Sequence, residues 1–153
     1  MTLAGAVVAY EESFTTADRY TRKGQAVRTS LRVIVRDLRT GRVLHDVPTG
    51  SPSKPEPGSV GVGSIVALVL KSDGSVAWIA MDTERSATAK APYFDVYATD
   101  TSGTRLLASG TDIDPSSLAL SSDATHLDDY PHTIVGSTLY WTQGGRSFST
   151  TLK

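Results

Sequence analysis

The chain has 153 residues, a length that suits one domain of ordinary size. With 39% hydrophobic and 20% charged residues it can bury a core, and a formal charge of −1 gives no drive toward nucleic acid or an anionic membrane. Cysteine is absent, which excludes disulfides, thiolate metal sites and cysteine nucleophiles.

The apolar periodicity is that of β-strands. Residues 3–11 read as a first strand, followed by a polar loop over 11–24 that carries Arg19, Arg22 and Lys23. In 27–37 the apolar Leu31, Val33 and Val35 alternate with Arg32, Ile34 and Arg36, so one side is apolar and the other largely charged. Thr40-Gly41 supplies a tight turn into a strand over 42–47, because glycine suits the positive φ that such turns need. Four prolines between Pro48 and Gly58 make that stretch an extended connector. Strands are expected at 65–70 and 75–81 around Ser72-Asp73-Gly74, and at 93–99 and 104–108 around Ser102-Gly103. The segment 83–91 lacks an apolar stripe and is read as a loop. A short strand at 117–120, a long acidic insertion over 121–135, and strands at 137–142 and 146–152 complete the chain.

The longest apolar run, Ile65 to Leu70, is strand-sized and far from the ~20 residues of a membrane helix. Residues 1–10 show no basic-then-apolar leader, so a soluble protein is expected, with no membrane partner and no compartment assigned. A leader removed ahead of Met1 would make it secreted.

A pattern recurs. Gly5, Gly74 and Gly136 each read as a small turn residue followed by alternating strand residues and an aromatic, namely Tyr10, Trp78 and Tyr140-Trp141. Arg42-Val43-Leu44 after Gly41 matches Arg105-Leu106-Leu107 after Gly103, about 62 positions on. That period exceeds the roughly 40–50 residues of common propeller blades, and the long loops account for the excess. Read so, 60–110 is a complete four-stranded unit within a single all-β domain. Residues 1–50 lack the first strand of such a unit, and 115–153 lack the last.

Leu139-Tyr140-Trp141-Thr142-Gln143 resembles the Tyr-Trp-Thr-Asp strand of one β-propeller class, and Asp114 to Leu120 resembles the strand that precedes it there. The hairpin from Arg36 to Leu44 is similar to repeats of bacterial propeller-like proteins. The resemblance implies propeller-like blades of antiparallel strands, about two and a half of them, with a β-sandwich as the alternative fold. Gln143 stands where the class carries an acid, so an aspartate-mediated blade network is not implied. Because propellers have four to eight blades, so few would be completed by self-association or by another protein.

Several candidate sites follow from residue chemistry. His126, Asp128, Asp129 and His132 offer two imidazoles and two carboxylates to a divalent metal, although Pro131 argues against a helix that would align them. Their plainer reading is a solvated acidic loop. Asp112 and Asp114 could pair for acid/base work, but Asp114-Pro115-Ser116 reads better as a turn in which aspartate bonds its own backbone. Arg28, Arg32 and Arg36 share strand parity and could form a polyanion-binding stripe. Their plainer reading is a solvated face, and nucleic acid is not expected because no aromatic row accompanies them. The arginine-rich start and the aspartate-rich 106–145 would also complement one another head to tail. Trp78, Tyr140 and Trp141 are read as core before sugar platform. No serine sits in a nucleophile elbow, and no phosphate or dinucleotide loop is present, so no cofactor is expected. The functional expectation is a non-catalytic binding or scaffold module. The alternatives are a hydrolase or metal enzyme using 112–132, or a polyanion binder using 19–42.

Overall fold

The computed structural model describes residues 1–17, 27–50, 63–122 and 137–153. The fold is all-β: the described residues form eleven strands in three antiparallel sheets and one short helix. The first sheet comprises β1 (Thr2–Ala4), β2 (Val7–Ala17), β3 (Val27–Asp37) and β4 (Val43–Pro48) in sequential order. The central sheet comprises β5 (Ser64–Leu70), β6 (Val76–Met81), β7 (Phe94–Asp100) and β8 (Gly103–Gly110), again sequential. The third comprises β9 (Ile113–Ser122), β10 (Ser137–Gln143) and β11 (Arg146–Leu152).

Two cores lie on opposite faces of the central sheet. Between it and the first sheet pack Val7, Ala9, Val33, Val35, Val76, Trp78 and Tyr97. Between it and the third pack Ala77, Ile79, Val96, Ala98, Leu139, Trp141 and Leu152. This is why β6 reads as an unbroken apolar run rather than an alternating one: both of its faces leave water. Fully burying a side chain such as Ile79 contributes about 1.5–3 kcal/mol. The opening strands of the sheets are neighbours in space, β5 lying beside both β1 and β9.

Four expectations need correction. Residues 11–17, read as the start of a polar loop, belong to β2 and pair with β3 as far as Ala17. The strand expected at 3–11 is broken at Gly5, whose φ of 61° turns β1 into β2, so the first sheet has four strands and lacks none. The segment read as a loop at 83–91 contains a helix, α1 (Thr83–Ala89). It needs no apolar stripe because it buries no residue; the Asp82 carboxylate caps it by accepting from Arg85 N, and Lys90 in the left-handed region ends it. The short strand at 117–120 is the middle of the longer β9. Among the described residues the third sheet has three strands.

Candidate functional site

The densest polar cluster sits where α1 meets β7. Asp95 shares strand parity with Tyr97, so its side chain enters the face that carries the first core, and it is 2% exposed. A carboxylate there must be neutralised and fully bonded. Arg85 on α1 supplies the charge, with Nη2 3.1 Å from Oδ2, while Ser109 Oγ on β8 donates to Oδ1 at 2.5 Å. The Tyr97 hydroxyl lies 3.4 Å from Oδ2. Arg85 also reaches Asp82 at 2.9 Å and lies over the Tyr93 ring. Burial and the neighbouring Asp95 charge push the Tyr97 phenol up to about 12, which keeps it neutral. Both Asp95 oxygens are engaged, and the cluster clamps α1 to the rim of the central sheet.

A second cluster joins the central sheet to the third. Asp100 at the end of β7 is 3% exposed and accepts from Arg105 Nη1 at 2.9 Å, Lys153 N at 3.0 Å and Ser102 N at 2.8 Å. Arg105 Nη2 then donates to Thr151 O at 3.1 Å, and Ser75 Oγ donates to Lys153 O at 2.9 Å. Burial opposes ionisation of Asp100, but these donors outweigh it and hold the carboxyl below its ordinary value.

The residues singled out from sequence are not gathered into one place. Asp112 accepts from Gln143 Nε2 at 3.0 Å, and the same amide reaches Ser109 O at 3.3 Å. Asp114 accepts from Ser116 N at 2.9 Å and Ser116 Oγ at 2.6 Å, forming the turn its sequence suggests. Arg32 on β3 pairs with Asp46 on β4, and Arg36 Nη1 donates to Gly41 O at 2.9 Å. Both arginines thus spend hydrogen bonds within their own sheet. Arg28 occupies the β3 position opposite Thr16. His126, Asp128, Asp129 and His132 lie outside the described residues, as do Arg19, Arg22 and Lys23. Among the described residues no three His, Cys, Asp or Glu side chains converge as metal ligands, and no helix is long and apolar enough to cross a membrane. Trp78 and Trp141 are core residues, whereas Tyr140 is 38% exposed.

Neither cluster was anticipated. Asp95 had one available signal, a lone acid on the buried parity of an apolar strand. The Asp100 cluster had none, because Asp100 and Lys153 are 53 positions apart and only the fold joins them. Compared with protein-family models, curated proteins and solved structures, the chain matches none of them.

Proposed function

We propose that the chain is a non-catalytic binding or scaffold module of β-propeller type, its three sheets being successive blades that self-association completes into a ring. One observation carries this reading. Among the described residues, the central sheet is covered on both faces and each outer sheet on one. The proximity of β5 to both β1 and β9 supports radial placement of the opening strands. On the third sheet the outward face presents Ala119, Tyr140 and Ser149, side by side in register and uncharged, as a further blade would require. The polar clusters favour this over a hydrolase, since the buried carboxylates Asp95 and Asp100 are spent on holding elements together. Light scattering behind size-exclusion chromatography tests it. A discrete oligomer that Tyr140→Asp converts to monomer is expected, and a monomer across the micromolar range would refute the ring.

A further inference from the structure

Among the described residues the third sheet has no fourth strand like those of the other two, and the β11 edge is only half occupied. The two-residue turn Gly144-Gly145, with φ of 57° and 71°, makes Gln143 and Arg146 a hydrogen-bonded pair. By alternation the main-chain groups of Ser147, Ser149, Thr151 and Lys153 then point away from β10, toward the vacant side. Side chains of the central sheet take the far half: Arg105 holds Thr151 O, Asp100 holds Lys153 N, and Ser75 holds Lys153 O. Among the described residues, the outward N–H and C=O groups of Ser147 and Ser149 have no partner.

Three other edges are blunted. Pro48 and the Arg32–Asp46 pair guard β4, the Glu11 carboxylate takes Ile65 N at 2.6 Å on β5, and Pro115 interrupts β9. In contrast, β11 runs in unbroken register from Arg146 to Leu152, with no proline, bulge or charge after its first residue.

We infer that this edge binds an extended acidic peptide of another protein as a fourth strand, antiparallel to β11 like β4 beside β3 and β8 beside β7. Charge selects the ligand. Arg146 borders the open half and Lys153 ends the strand, and among the described residues neither side chain has a carboxylate partner. Arg105 lies beside Lys153 in a shallow cleft lined also by Ser102 and Thr151. Charge also disfavours a second copy, because β11 paired antiparallel with β11 along its length would set Arg146 of each copy beside Lys153 of the other. The inference rests on the binding-module reading but not on ring closure.

The probe is acetyl-Asp-Asp-Thr-Val-Thr-Val-Glu-amide, fluorescently labelled, titrated with the full chain by anisotropy and followed by amide chemical shifts. Saturable binding with a dissociation constant on the order of 10–100 μM and shifts at Ser147 and Ser149 are expected. Ser149→Pro removes one edge N–H and should weaken binding about tenfold or more. Should that variant fail to fold, the same peptide N-methylated at alternate residues gives the equivalent result on the unaltered chain. Lack of saturation at millimolar peptide, or equal affinity for the N-methylated peptide, would overturn the inference. A monomer that binds the peptide keeps the slot and loses the ring, and an oligomer that ignores it does the reverse.

Discussion

Trp78 Nε1 donates to the main-chain carbonyl of Thr49 at 2.8 Å, tying the centre of one core to the end of β4 in the neighbouring sheet. Trp141 in the other core is also buried and stacks on Phe148 at 5.8 Å, but among the described residues its Nε1 has no partner. The two indoles therefore separate packing from hydrogen bonding. Trp78→Phe should lose both and leave the buried Thr49 carbonyl unsatisfied, whereas Trp141→Phe should lose packing alone. The difference is expected to be about 1–3 kcal/mol. Urea unfolding of the two variants checks it, and equal losses would show that the Thr49 bond carries no weight.

The hairpin glycines make a second contrast. Gly74, at φ 100°, would place a Cβ 2.8 Å from Leu44 Cδ1, while Gly41, at φ 70°, meets nothing within 4 Å. Both substitutions to alanine strain the backbone, by roughly 1–2 kcal/mol. Gly74→Ala must also displace Leu44, which packs on the first core. It should therefore lower the thermal midpoint more than Gly41→Ala, a ranking that a melting curve decides.

Asp100 offers a prediction about how the third sheet is held. Asp100→Asn keeps the shape but discharges the partner of Arg105 and weakens the bond from Lys153 N. A loss of about 2–4 kcal/mol is expected, since the carboxylate is buried and charge-assisted. Hydrogen exchange should rise first in β11, whose end the cluster fastens. A uniform rise across all three sheets would mean that the latch is not local.

These contrasts show what was legible in the sequence. The two-residue periodicity and the turns at Gly41, Gly74 and Gly103 located most strands, because backbone geometry at those positions is a local property. Gly5 reads as a turn residue by its match to Gly74, but Ala4 and Ala6 on either side are weakly apolar and leave 3–11 reading as one continuous strand. Helix α1 escaped for an energetic reason: Asp82 and Arg85 hold it through caps and a distant carboxylate, and no amphipathic face announces it. Of the proposed sites, Asp114 followed its local turn chemistry. The arginine stripe shared parity as read, yet Asp46 and Gly41 O, which engage Arg32 and Arg36, lie on β4 and in the turn before it. Strand parity indicates a face but not what stands opposite.

Acid should weaken the fold over two separate pH ranges. His45 on β4 is half-buried with its side chain toward the first core, and burial pulls its pKa below the ordinary 6.5 despite the nearby Asp100 and Asp73 carboxylates. Its folded form thus binds fewer protons than the unfolded chain just below pH 6.5, so stability is full above that value and falls as pH drops through it. Asp100 and Asp73 are both held below their ordinary 3.8, burial opposing this and hydrogen bonds prevailing. Their contribution is present above pH 3.8 and lost as pH falls toward their folded values. The denaturant midpoint should therefore decline between about pH 7 and 5, then fall again below about pH 4. In His45→Gln the upper decline should vanish while the lower one persists. An unchanged upper decline in that variant would move its origin away from His45 and leave the acid limb to the carboxylates alone.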